Sequence, residues 1–168
     1  MRLTYRRLIG LLCVGYALYV FADAVMAAEP KADKADIARG RYLVLVGTCN
    51  DCHAAGFAES EGKMPESEWL TGSPIGFQGP WGISYPSNLR LVAQNLSEDQ
   101  WVQRARSPMR PPMPWYTLRD MQEKDVRAMY RYIRSLGAKG EAAPAFVPPG
   151  GKAVAPYFSM EPQNLSAK

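Results

Sequence analysis

Cys49-Asn50-Asp51-Cys52-His53 is the stretch on which the reading of this 168-residue chain turns. It separates two thiols by two residues and sets an imidazole directly after the second. That is the attachment pattern of a c-type haem. Two cysteines so spaced can add to the two vinyl groups along one edge of the ring. The next side chain is then held beneath the ring, where a histidine nitrogen can bind the iron.

Other uses of a Cys-x-x-Cys pair conflict with the inventory. A structural zinc site needs four ligands, commonly a second Cys/His pair, yet the chain has three cysteines and one histidine in all. A redox-active dithiol sits beside a strand–helix–strand pattern, and none is evident near residue 49. A disulfide between Cys49 and Cys52 suits an oxidising compartment but leaves His53 unexplained.

The beginning of the chain points to such a compartment. Arg2, Arg6 and Arg7 precede a nearly unbroken apolar run from Leu8 to Ala22, and Val25-Met26-Ala27 supplies small residues for cleavage after Ala27 or Ala28. Charge, length and ending are those of a secretory signal peptide over residues 1–27. Fifteen apolar residues, closed by Asp23, fall short of the roughly 20 that a spanning helix needs. Membrane attachment is therefore expected only if this segment stays uncleaved. Cys13 lies inside it and is lost on processing, which leaves two cysteines, both in the motif. Export would carry the chain to where haem is ligated outside the cytoplasm.

Charge excludes one class of partner. The segment 1–27 holds three arginines and one aspartate, so the chain's 20 basic and 16 acidic side chains fall to 17 and 15 in the mature protein. No clustered basic patch remains of the kind a nucleic-acid binder shows.

Along the mature chain, residues 29–34 are polar and read as a leader. Asp33 or Asp36 can cap a helix from about Ile37 to Gly47. Within it, Gly40 costs about 1 kcal/mol against alanine, a loss that close approach of another helix would explain. Residues 54–95 are rich in Gly, Pro and Ser without a helical period, which suits a segment wrapped around a prosthetic group that is itself the core. Trp69, Phe77, Trp81 and Tyr85 are candidates for its apolar cover, and Asn88, Tyr85, Trp81 or Arg90 for a donor to a propionate. Ser97-Glu98-Asp99-Gln100 reads as a capping box opening a helix to about Arg106. Four prolines between Pro108 and Pro114 then forbid helix. A last helix is expected from Glu123 to Leu136, with Val126, Met129, Tyr130 and Ile133 as its apolar stripe and Gly137 as its stop. The tail 138–168, with five prolines and three glycines, reads as extended, in part docked and in part disordered.

His53 is the only histidine, so a second axial ligand must be another residue type, or the position is open. Met64, Met109, Met113, Met121, Met129 and Met160 are available, with Met26 if cleavage is unusual. Met129 lies on a packing face, Met160 in the tail and Met64 in a polar stretch, while Met121 beside a helix start stays a candidate. Met113 is preferred because Pro112 and Pro114 flank it, and a ligand on restricted backbone loses less entropy on binding. It also follows His53 by 60 residues, enough chain to pass round the ring to its other face. Met109 is the runner-up.

Taken together, Gly40-Arg41-Tyr42-Leu43, the Cys49–His53 motif, Pro112-Met113-Pro114-Trp115 and Tyr130-Arg131-Tyr132-Ile133-Arg134-Ser135-Leu136 resemble a class I monohaem c-type cytochrome. The resemblance is to the bacterial periplasmic type that serves dehydrogenases and terminal oxidases, and it covers about residues 37–137. It implies an all-α, cytochrome c-like fold of three to four helices and long loops around one covalent haem c. The domain would span residues 28–137, its first and last helices crossing near Gly40 and Tyr130. Cys49 and Cys52 would carry the haem, and His53 and Met113 would bind the iron. The implied role is not enzymatic: single electrons pass between redox partner proteins such as a dehydrogenase, an oxidase or another cytochrome. A cytochrome subunit fixed in a dehydrogenase or oxidase complex is the alternative, and a haem sensor or enzyme with a labile sixth ligand a further one. Arg104, Arg106, Arg110 and Arg119, close in sequence to Met113, are candidates for a basic rim toward an acidic partner.

Overall fold

Asp33 accepts the Asp36 N–H at 2.7 Å, and on that cap helix α1 (Lys34–Val46) begins. The structure, a computed structural model, describes residues 33–162. The export segment 1–27 with Cys13 and Met26, most of the polar leader, and the last six residues lie outside the described residues. After α1 come α2 (Cys49–His53), a 3-10 turn (Glu66–Glu68), β1 (Gly76–Gly79) and β2 (Gly82–Ser84). Then follow α3 (Leu89–Gln94), α4 (Glu98–Arg106), α5 (Trp115–Asp120), α6 (Glu123–Ser135) and β3 (Tyr157–Ser159).

The frame is the crossing of α1 and α6. A Cβ at Gly40 would lie 2.0 Å from the Ala128 carbonyl oxygen and 2.7 Å from the Tyr132 Cβ, so only glycine lets the two backbones meet. The crossing partners of Gly40 are thus Ala128 and Tyr132 rather than Tyr130. Tyr130 turns the other way, with its ring 6.0 Å from that of Trp101 and its hydroxyl donating to the Leu96 carbonyl. Val126, Met129, Tyr130 and Ile133 are all buried, each contributing about 1.5–3 kcal/mol by removal from water.

A polar belt closes the same junction. Arg131 pairs with Glu98 of α4 and Asp36 of α1, while Arg127 pairs with Glu98, Asp99 and Glu123. Arg39 grips Asp125 with two hydrogen bonds of 3.0 and 3.1 Å. The expected capping box forms: Ser97 Oγ accepts the Gln100 N–H, and Gln100 Oε1 accepts the Ser97 N–H.

The stretch 54–95 departs from the expected structureless wrap. It holds the 3-10 turn, the β1–β2 hairpin and α3, which Asn88 caps by accepting the Leu91 N–H. The helical domain therefore carries a small sheet of order β2-β1-β3, in which β3 comes from the tail and runs parallel to β1. Among the described residues, no helix is long and apolar enough to cross a membrane.

Gly40→Ala is expected to destabilise the protein by about 2 kcal/mol through overpacking, seen as a lower melting temperature. The hydrogen bond from Arg39 holds the Asp125 carboxyl below the usual carboxylate range. Its stability is then present above the unfolded pKa, about 3.9, and lost as pH falls through the depressed folded value. The stability gap between wild type and Asp125→Asn should shrink on acidification; a gap constant with pH would refute the assignment.

Candidate haem-binding site

Helix α1 ends abruptly because Gly47 and Thr48 donate back to the Leu43 and Leu45 carbonyls. Thr48 adopts φ +52°, a strained conformation for a β-branched residue, and the chain turns there so that Cys49 opens a new helix. Cys49, Cys52 and His53 share the single short helix α2. The two cysteines are free thiols, Cys49 partly buried and Cys52 exposed. Burial pushes the Cys49 thiol up to about 11 and raises that of Cys52 as well, so both stay protonated at neutral pH.

His53 is held at backbone and ring. Its carbonyl accepts the Gly72 N–H at 2.7 Å. Its Nδ1 lies 2.7 Å from the Ser87 carbonyl oxygen. A carbonyl can only accept, so the ring proton sits on Nδ1, and Nε2 keeps its lone pair. Burial lowers the pKa of the imidazole, opposed by the Ser87 bond and assisted by the charge of Arg104. The ring is neutral at neutral pH and offers one unshared nitrogen.

Met113 sits half-buried in the turn after α4, its N–H donating to the Arg110 carbonyl and its carbonyl accepting the Trp115 N–H that leads into α5. Ser84 Oγ donates to the Pro111 carbonyl. One short stretch, Ser84 to Ser87, therefore reaches both the methionine turn and the histidine ring. The other methionines sort by burial. Met129 is core, as its helix position implies; Met64 and Met121 pack against the core; Met160 is exposed; and Met109 is half-buried.

Three of the four candidate propionate donors are engaged within the protein. Arg90 donates to the carbonyls of Ser67, Leu136 and Gly137, Asn88 to those of Lys139 and Glu141, and Tyr85 to that of Ala155. Trp81 Nε1 is different: it is buried with no hydrogen-bond partner. Asn50 within the motif is 1% exposed, and neither of its side-chain polar atoms finds a partner. Buried donors are normally satisfied. An orphaned indole N–H, two free thiols and an oriented imidazole nitrogen suit a haem between these elements.

Two aromatic assignments change. Trp69 packs edge-on to Phe57 within the core and donates to the Met64 carbonyl, and Phe77 packs on Phe158 of the tail. The basic rim also shrinks. Arg106 caps α5 on the Leu118 and Arg119 carbonyls, Arg110 lies 4.0 Å over the Phe146 ring, and Arg119 pairs with Asp120. Arg104, Arg110 and Arg119 are all exposed, Arg119 with its charge paired. Sequence reasoning missed Ser84, Gly72 and Ser87. The last two act through backbone atoms, which leave no side-chain signature.

The family model for cytochrome c matches residues 37–137. The chain belongs to the cytochrome c family. That membership brings covalently bound haem c and a role in electron transfer rather than in catalysis of its own. Among curated relatives, the cytochrome c subunit of a quinone-dependent alcohol dehydrogenase from Gluconacetobacter polyoxogenes is 26% identical over 133 residues, which cover 76% of this chain and 27% of the relative. Its counterpart from Komagataeibacter europaeus gives the same figures. The cytochrome c subunit of a gluconate 2-dehydrogenase from Pantoea cypripedii is 29% identical over 142 residues, 76% of this chain and 32% of the relative. The chain thus spans less than a third of the length of these relatives. No solved structure matches it.

Proposed function

We propose that this chain is a one-haem, c-type electron-transfer module that serves a dehydrogenase outside the cytoplasm. Thioethers at Cys49 and Cys52 would hold the haem, and His53 Nε2 and Met113 Sδ would bind its iron. The observation that carries this reading is the bond from His53 Nδ1 to Ser87, which leaves the ring neutral and its Nε2 unshared. Two relatives of different substrate class, both named as cytochrome c subunits of dehydrogenases, favour a complex subunit over a freely diffusing periplasmic carrier. A single Cys-x-x-Cys-His motif supports one haem, and the N-terminal sequence supports export.

When bound, the haem supplies one-electron Fe(III)/Fe(II) chemistry. The chain's residues set how readily it runs. Ser87 fixes the tautomer and plane of the imidazole. A methionine opposite that histidine raises the reduction potential, and prolines on both sides restrict the methionine's backbone. Of the four propionate donors that the sequence suggests, Trp81 Nε1 is the one left unpartnered, alongside Asn50 Nδ2 and Trp101 Nε1 elsewhere. Cys52, exposed on α2, is where a partner would approach the tethered edge.

Produced in a host that ligates haem, the protein should hold its pigment through an acid–acetone wash; loss of colour refutes attachment. Met113→Ala is expected to lower the potential and let the reduced form bind carbon monoxide, whereas Met109→Ala should do neither. The reverse outcome exchanges the two residues. Trp81→Phe should shift the potential and its pH dependence, and an unmoved titration would remove Trp81 from the site. Extraction from the native periplasm should yield the cytochrome together with a dehydrogenase; recovery as a lone monomer restores the free-carrier reading.

A further inference from the structure

The chain does not leave the domain after α6. Residues 138–160 run back across the outside of segment 76–90 and bond to it along its length. Asn88 Nδ2 donates to the carbonyls of Lys139 and Glu141 at 2.7 and 3.1 Å. Val147 and Ile83 exchange backbone bonds of 2.8 and 3.0 Å. The Pro156 carbonyl accepts from Gly76, the Gln78 carbonyl accepts from Met160, and β3 pairs with β1. Phe146 lies under the Arg110 guanidinium, 4.0 Å from ring centroid to cation.

Two of these contacts adjoin the axial groups. Asn88 follows Ser87, whose carbonyl orients His53, and it is 2% exposed. It also abuts Gly72, which bonds the His53 carbonyl: a Cβ at Gly72 would come within 2.9 Å of the Asn88 nitrogen. Arg110, on the other side, accepts the Met113 N–H through its own carbonyl. The tail therefore touches the support of the histidine and the support of the methionine at once.

We propose that residues 138–160 form a strap that holds both axial supports in register, with Asn88 as positioning residue for His53 and Phe146 for the Met113 turn. The inference rests on the haem reading above. A buried amide that gives both its donor protons to the strap fixes the backbone on which the Ser87 carbonyl is mounted. Loosening the strap frees that carbonyl and the methionine turn while leaving the α1–α6 frame intact.

Asn88→Asp separates this role from helix capping, because the new carboxylate still accepts the Leu91 N–H but repels the Lys139 and Glu141 carbonyls. Phe146→Ala removes the stacking at the other end. Asp125→Asn is the control, since it weakens the α1–α6 junction away from the strap. In the haem-loaded protein, imidazole binding to the ferric form reports how easily the methionine side opens. Both strap variants are expected to tighten it about tenfold, the scale of losing one or two net hydrogen bonds at Asn88 or a cation–π contact at Phe146, and to lower the reduction potential. Asp125→Asn should lower the melting temperature without either change. If the strap variants lose only melting temperature, or if the control gains imidazole affinity equally, the strap is structural and the proposal fails. If wild type carries no covalent haem, or Met113→Ala leaves imidazole affinity unchanged, the underlying reading fails instead.

Discussion

The hydrogen bond from His53 Nδ1 to the Ser87 carbonyl is the constraint on which the site depends. An imidazole free to rotate presents either nitrogen in either tautomer; one whose Nδ1–H is committed presents Nε2 alone. Burial keeps the ring neutral, so the lone pair is not lost to a proton. Much of the surrounding architecture serves to keep that carbonyl in place. Gly72 ties the His53 backbone, Asn88 next to Ser87 is anchored on the tail carbonyls, and the β1–β2 hairpin precedes the segment.

The α1–α6 crossing supplies the rigidity behind it. Contact of two helix backbones at Gly40 buries a stripe of α6 side chains, and arginines bridge the rim of the junction to α4 and α1. Because α2 follows α1 after the two residues Gly47 and Thr48, the motif inherits its position from that frame. Such a rigid mounting suits electron transfer, in which little movement should accompany a change of charge.

The relatives match this chain over only part of much longer subunits, which are named for dehydrogenases of different substrate class. In this chain residues 138–160 pack back on the domain. Their bonds to Asn88, Ile83 and Gly76 make them part of the wall that carries Ser87 and, through its carbonyl, the His53 ring.

Local chemistry was legible in the sequence. The Cys49–His53 spacing, the Ser97–Gln100 capping box, the apolar stripe of α6 and the odd glycine at position 40 each depend on neighbours a few residues apart, which a linear pattern records. Tertiary structure alone decided which long-range partner met each group. Gly40 faces Ala128 and Tyr132 rather than Tyr130, Arg90 and Asn88 are spent on backbone carbonyls, and the tail lends a strand to the sheet. The physical reason is that backbone carbonyls and amides are the same at every residue. No side-chain code marks Ser87 as the acceptor for His53, so only the folded path of the chain could select it.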